Sequence, residues 1–348
     1  MKENFFTIRT VLWEKGTVKM IDQTALPRRL TYTAYDDWHG VADAIKKMVV
    51  RGAPAIGVAA AMGVALAAYR SRSRTAEQLL REMEYAAEGL KATRPTAVNL
   101  FWGIERMMKK ARSARPDVDS IRELVVKEAL DMAEEDVEVN RKLGRYGSAL
   151  IEDGDVVLTQ CNAGALATVG YGTALGVVRA ARERGKCVKV IVPETRPALQ
   201  GARLTAFELA RDGFDCTVIS DTAVGYMLSS GRVDKIVVGA DRITRDGYVF
   251  NKIGTYQIAV LANRHKVPFY PAAPHSTFDM ERTNEMVTIE ERSADEVVRV
   301  KGRRIVAKGV CVANPAFDAT PPELVSAIIS DLGIIESPVE KNIPSVIR

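Results

Sequence analysis

Two side chains stand where chemistry could happen. Cys161 lies in "VLTQCNAGALATVGYG" (157–172), after an apolar run of strand length and before a run rich in Gly and Ala. A thiol at a helix start feels the partial positive charge of free N–H groups, which favours its thiolate. The competing reading is a small buried hydrophobe. Asp241 ends "KIVVGAD", with no polar side chain between Lys235 and the carboxylate. A carboxyl at an apolar edge has a raised pKa and suits a general acid near neutral pH. Its alternatives are a helix cap or an ion pair with Arg242. A thiolate and a protonated acid on one rim would serve proton transfers on opposite sides of a small molecule. Cations for an anionic ligand are at hand. Arg51 precedes a Gly-Ala-Pro helix opening, where N–H groups and a guanidinium could share a phosphate. Arg94, Arg196 and Lys252 are further candidates, each equally explicable as a surface charge.

The elements that must position these groups follow from periodicity. The first forty residues alternate like short strands ("FFTIRTVLW", "TVKMIDQT", "RRLTYTAY"), broken at Lys15-Gly16 and Pro27. Helical patterns follow over 37–49, after Pro54, from Thr75 to Lys91, over 97–112, and from about Ile121 to Leu150. Beyond "EDGD" strand-length apolar runs alternate with helices: "VVLTQC", "CVKVIVP", "CTVIS", "KIVVGA" and "PFYPAA". That alternation implies βαβ units and a parallel, doubly wound sheet, whose ligands sit outside the carboxyl ends of the strands. The strand ends are "QCNAG" (160–164), "PETRPALQGARL" (193–204), "SDTAV" (220–224), "GADRI" (239–243) and "AAPHSTFD" (272–279). Their polar residues converge on one rim, which predicts a ligand site there.

Bulk properties narrow the classes. The 348 residues suffice for two domains; 47% are apolar and 27% charged, as in an ordinary globular protein. A net charge of +5 from scattered residues argues against nucleic-acid binding. The four cysteines and three histidines show no metal or redox spacing, so neither a zinc site nor a disulfide framework is expected, in keeping with a reducing cytoplasm. "MKENFFTIRT" lacks the apolar core of a secretory leader. "APAIGVAAAMGVALAAY" (53–69) is uncharged but short for a membrane span and made of Ala and Gly, so a buried helix is expected. The glycines of "TVGYGTALG" lack the GxGxxG spacing and no GxxxxGK[ST] occurs, so dinucleotide and nucleoside-triphosphate sites gain little support.

Taken in order, "MVVRGAPAIG", "RPTAVNLFWGIERM", "CNAGALAT", "ETRPALQGARLTAFEL", "VGADRITRDGYVFNKIGTY" and "NPAFDATPPEL" resemble the methylthioribose-1-phosphate isomerases of methionine salvage. Their superfamily includes ribose-1,5-bisphosphate isomerases and regulatory subunits of the guanine-nucleotide exchange factor of translation initiation. The resemblance spans Thr10 to Asp331. It implies an α/β fold: a Rossmann-like C-terminal domain with a mainly parallel sheet (129–348), and a smaller N-terminal domain of short strands and helices (1–128). The long helix of about residues 120–150 would bridge the two. It also implies a cytoplasmic homodimer acting on a small-molecule sugar phosphate. By matching motifs, Cys161 takes the place of the catalytic cysteine and Asp241 that of the proton donor. Arg51, Gly52, Ala53, Arg94, Gln200, Asn251 and Lys252 match the substrate contacts. Gln160, just before the cysteine, is less typical of the family.

The implied reaction converts a cyclic aldose 1-phosphate to a ketose 1-phosphate. Phosphate blocks the anomeric oxygen, so an acid must help the ring oxygen leave. Hydrogen must then pass from carbon 2 to carbon 1. It travels either as a proton through Cys161 and an enol phosphate, or as a hydride with Cys161 supporting the charge. Neither route calls for a metal or redox cofactor. A ribose-1,5-bisphosphate isomerase would need a further cationic cluster for its second phosphate. A regulatory subunit would tend to lose the Cys161–Asp241 pair, which this chain keeps.

Overall fold

The computed structural model describes residues 9–95, 97–300 and 302–347. It divides into two compact units: one ends at Lys142 and takes in Gly164–Gly176, the other comprises Leu143–Ala163 and the chain from Val177 on. Both the boundary at Lys142 and one at 128/129 fall inside one continuous helix, Val118–Gly147.

The first unit opens with an antiparallel sheet of β1 (Val11–Glu14), β2 (Thr17–Ile21) and β3 (Tyr32–Tyr35). Lys15 and Gly16 join β1 to β2, both at positive φ, as a tight two-residue hairpin requires. Residues 5–8 of the first expected strand lie outside the described residues. Helices α1 (Trp38–Lys46) and α3 (Ala76–Lys91) start at side-chain caps: Asp37 accepts from the Gly40 N–H and Thr75 from that of Gln78. Between them α2 (Ala53–Arg70) carries no charge before Arg70, and every residue from Ala55 to Ala68 is buried. By length and composition it could cross a membrane. It is instead enclosed by α1, α3 and α4 (Val98–Ser113). Its small residues allow this: a Cβ on Gly57 would lie 2.7 Å from the Asn99 carbonyl oxygen, and one on Gly103 2.6 Å from that of Gly57.

The last helix of this unit, α5 (Val118–Gly147), anchors the segment 164–176. Asp136 accepts from the Val169 N–H at 2.7 Å, while Thr10 Oγ1 and Gln23 Nε2 donate to the carbonyls of Ala165 and Leu166, each at 2.7 Å. The segment folds back on itself at Gly172 (φ 86°), where a Cβ would stand 2.5 Å from Gly164.

The second unit begins with β4 (Val156–Leu158), α6 (Ala174–Glu183), β5 (Lys189–Pro193), α7 (Ala206–Arg211), β6 (Asp215–Ile219), α8 (Val224–Ser229) and β7 (Lys235–Val238). Next come β8 (Arg242–Thr244), β9 (Val249–Lys252), α9 (Thr255–His265), β10 (Phe269–Pro271) and β11 (Phe278–Asp279). A short helix α10 (Asp295–Val298), the hairpin β12 (Arg299–Val300) and β13 (Arg303–Arg304), and β14 (Phe317–Thr320) follow. The hairpin β15 (Ala327–Ser330) and β16 (Gly333–Glu336) and helix α11 (Val339–Val346) complete it.

The expected parallel sheet is present, in order β10-β7-β4-β5-β6. Its strands read as continuous Val/Ile runs because both faces are covered, with Leu158, Ile236, Val238 and Phe269 in the core. A second sheet, β11-β8-β9-β14, breaks the strict alternation. Asp246-Gly247 turns β8 back antiparallel to β9, a hairpin signal that the alternating strand–helix pattern hides.

One prediction concerns Asp136. Burial pushes its carboxyl up to about 7, against the N–H bonds from Val169 and Gly170 and the nearby Arg9. Between pH 4 and 7 the folded chain therefore holds a proton that the unfolded chain has released, so this residue's contribution to stability falls as pH rises. Asp136→Asn removes that slope. Urea unfolding at pH 5 and pH 8 should show the variant gaining on the wild type at the higher pH, and a constant difference would contradict the assignment.

Candidate active site

At the end of β4 the backbone is held in an unusual shape. Cys161 is 6% exposed and adopts φ 60°, a left-handed conformation that costs a non-glycine residue about 1–3 kcal/mol. Both its backbone polar groups are satisfied by threonines. Its N–H donates to Thr195 Oγ1 at 3.1 Å, and Thr205 Oγ1 donates to its carbonyl at 2.6 Å. Thr195, itself at φ 63°, is fixed by Asp221, whose carboxylate accepts from the N–H groups of Thr195 and Arg196, each at 2.7 Å. No helix begins at the cysteine, contrary to expectation. The next α-helix starts at Ala174, because 164–173 fold back through glycines and a short 3₁₀ turn at Ala165–Ala167. The helix that follows in the chain therefore does not start at this thiol.

Behind this turn lies a buried charge cluster. Asn162 Nδ2 donates to Glu208 Oε1 at 2.8 Å and to Thr205 Oγ1 at 3.2 Å. Arg179 donates to Glu208 Oε2 at 2.9 Å and, through Nε, to Asp212 Oδ2 at 2.8 Å. The side chains of Arg179, Glu208 and Asp212 are at most 2% exposed. Burial alone would weaken the guanidinium's charge, but the two carboxylates hold its pKa above the ordinary value. Gln200 opens the wide turn Gly201–Thr205 that carries Thr205, so it shares an element with the residue that grips the cysteine's carbonyl. Its Oε1 is buried with no hydrogen-bond partner among the described residues.

The second sheet carries the other candidates of this unit. Asp241 occupies the bend between β7 and β8, half-buried, and its N–H donates to the Phe250 carbonyl at 2.8 Å. It caps no helix, since the chain continues as strand, and the Arg242 guanidinium pairs with Asp279 at 3.3 Å. One residue beyond Phe250, Asn251 Nδ2 donates to Thr255 Oγ1, which donates to the Lys252 carbonyl. Lys252 Nζ donates to the Ala316 carbonyl at 2.7 Å and lies 4.5 Å from the centre of the Phe317 ring. The two strand ends are joined directly: Gln160 Nε2 donates to the Ile253 carbonyl at 3.0 Å.

Sequence reasoning missed Thr195, Thr205, Asp221 and Asp318. Asp318 Oδ2 accepts from the Gly254 N–H at 2.7 Å and its carboxyl also receives the Tyr256 N–H, so it caps α9 from a different strand. Burial pushes it up to about 6 despite those bonds and the nearby Lys252. Arg196 turns its guanidinium to the carbonyls of Pro197 and Val297. A pocket of about 160 Å³ opens beside Gln160, walled by Pro193, Val224, Ile253 and Ile258. Among the described residues no group of three or more His, Cys, Asp or Glu could hold a metal ion.

The first unit carries Arg51, Gly52, Ala53 and Arg94. Arg51 and Gly52 immediately precede α2, and Ala53 is its first residue. Gly52 adopts φ 97°, and a Cβ there would fall 2.4 Å from the Ala167 backbone. Gly52, as the residue preceding the helix, offers no side-chain cap, and Pro54 follows in the first turn. Arg94 sits half-buried between α3 and α4.

A parallel sheet with a cysteine and an aspartate beyond the carboxyl ends of its strands, and an Asn-Lys pair on the second sheet, defines an α/β protein of the class whose ligands bind outside the strand ends. The chain belongs to the initiation factor 2 subunit family, whose profile matches residues 49–337. It is 50% identical over 343 residues to the methylthioribose-1-phosphate isomerase of Geotalea uraniireducens, covering 98% of this chain and 99% of that one. The solved 5-methylthioribose 1-phosphate isomerase of Pyrococcus horikoshii superposes with a TM-score of 0.91 at 45% identity, covering 97% of this chain and 95% of that one. A structure solved as translation initiation factor eIF-2B, subunit delta, from Archaeoglobus fulgidus superposes with a TM-score of 0.89 at 52% identity, covering 98% and 99%.

The buried cluster yields a stability prediction. Arg179→Met leaves Glu208 and Asp212 buried without their cation, which costs about 3–5 kcal/mol. Urea denaturation measures it. A loss below about 1 kcal/mol, the scale of an exposed pair, would mean the cluster is not what holds the Cys161 turn.

Proposed function

We propose that this protein isomerises 5-methylthioribose 1-phosphate to 5-methylthioribulose 1-phosphate, a step of methionine salvage. The observation that carries the reading is the Gln160–Ile253 hydrogen bond, which ties the Cys161 turn to the strand bearing Asn251 and Lys252, beside Asp241. The isomerases named above support it. The protein would work as a cytoplasmic homodimer.

Asp241 protonates the ring oxygen as its bond to carbon 1 breaks, and the chain opens with the phosphate still in place. The hydrogen on carbon 2 moves to carbon 1, and the carbon 2 hydroxyl becomes the ketone as its proton passes to the carboxylate that Asp241 has become, restoring the acid. Cys161 stands at the transfer, as the base that carries a proton or as the charge that steadies a hydride. Its pinned backbone gives the thiol a fixed bearing, which such transfers need. Gln200, Asn251 and Lys252 are the proposed substrate contacts of the second unit; in the first unit Arg51, Gly52, Ala53 and Arg94 match the family's remaining contacts by motif. Lys252 and the arginines supply positive charge for the phosphate.

The pure protein should form ketose from methylthioribose 1-phosphate and turn over ribose 1,5-bisphosphate far more slowly; the reverse preference would overturn the substrate assignment. Cys161→Ser and Asp241→Asn should fold normally yet lose about 10²–10⁴-fold in kcat, the usual worth of a positioned acid or base. Near-native turnover in either removes that residue from the chemistry. In D₂O, deuterium incorporated at carbon 1 would establish the proton route and rule out a direct hydride shift.

A further inference from the structure

The peptide group between Ile253 and Gly254 is gripped from both sides. Its carbonyl accepts from Gln160 Nε2 at 3.0 Å, and its N–H donates to Asp318 Oδ2 at 2.7 Å. Gly254 has φ 99°, and a Cβ there would stand 3.0 Å from Gln160 Nε2, so the amide approaches as closely as a glycine permits. Gln160 directly precedes Cys161. Gly254 lies two residues beyond Lys252, and Asp318 pairs with Asn251 across β9 and β14. One planar unit therefore stands between the cysteine and the Asn-Lys pair.

Both gripping side chains carry a cost that packing alone does not explain. Gln160 Oε1 and Asp318 Oδ1 are buried without hydrogen-bond partners among the described residues, each at a penalty of about 1–3 kcal/mol. Gln160 is 3% exposed, so it does not serve the surface. An apolar residue at either place would avoid the penalty but release the peptide. The chain keeps two polar groups at the two ends of the same peptide, and that coincidence points beyond stability.

We propose that Gln160 and Asp318 are positioning residues, which hold the Ile253–Gly254 peptide between them and so fix Cys161 relative to Asn251 and Lys252. This deepens the isomerase assignment and rests on it only where turnover is the readout. Neither side chain takes part in the chemistry. Both act on geometry, so they set the rate more than the affinity.

Gln160→Ala and Asp318→Ala should each lower kcat by about 10- to 100-fold with KM changed by less than about threefold, the signature of misplaced reacting groups. Asp318→Asn keeps an acceptor for the Gly254 N–H and should recover most of the loss, and it covers the case in which the alanine variant fails to fold. Because both residues act on one peptide, the double alanine variant should fall little below the worse single one. A substrate-free arm follows alkylation of Cys161 by iodoacetamide with peptide mass mapping. Asp318→Ala should change that rate by about threefold or more, although Asp318 bonds to the turn and not to the cysteine. Near-native kcat in both alanine variants, fully multiplicative losses in the double variant, or an unchanged alkylation rate would each overturn the proposal. A wild-type protein inert toward methylthioribose 1-phosphate would overturn the functional assignment instead, with alkylation still deciding this one.

Discussion

The constraint on which the site depends is a left-handed residue at the end of a buried strand. Cys161 does not relax into an extended or helical shape because its N–H and carbonyl are each held by a threonine hydroxyl. Those hydroxyls are backed in turn. Asp221 clamps the backbone at Thr195, and Glu208 meets Asn162 while Arg179 joins it to Asp212. Strain at one residue is balanced by hydrogen bonds spread over three loops and two helices. The charges in that support are buried and mutually paired, which makes the arrangement all-or-none: no member leaves without exposing another to an apolar interior.

Much of this was legible in the sequence. Helical spacing located α1 and α3, and Val/Ile runs ending in polar clusters located the parallel strands and their rim. The cysteine and the aspartate stood out because each interrupts an apolar run at its end. Less legible was whatever depends on residues distant in the chain. Thr205 lies more than forty positions from the carbonyl it holds, and Asp318 caps a helix that begins more than sixty residues earlier. An ordinary threonine or aspartate carries no local mark of such a task. The helix expected after Cys161 failed for a different reason. Gly and Ala runs satisfy a helical pattern, but here close backbone approaches at Gly164 and Gly172 make a tighter path available. The second sheet was foreshadowed only by Asp246-Gly247, whose short flanking strands look like part of a loop.

The two sheets divide the labour. The parallel one is covered on both faces and sets where the strands end. The mixed one is smaller and carries Asn251 and Lys252 on β9, with Asp241 bonded to it from the bend before β8. Backbone ladders fix spacing between such groups more firmly than loops do, because each residue is tied by its own peptide and by its neighbour's. The loops then need only to turn sharply, which the glycines at positive φ allow.

Helix α2 has a consequence of another kind. Its backbone touches that of α4 through Gly57 and Gly103, and a slide by one residue, about 1.5 Å, would drive side chains into carbonyl oxygens. It therefore behaves as a ruler with one permitted setting. In the proposed phosphate contact the Arg51–Ala53 end has little freedom left to surrender. The entropy lost there would fall mainly on the ligand and on one arginine side chain, the helix end being already set.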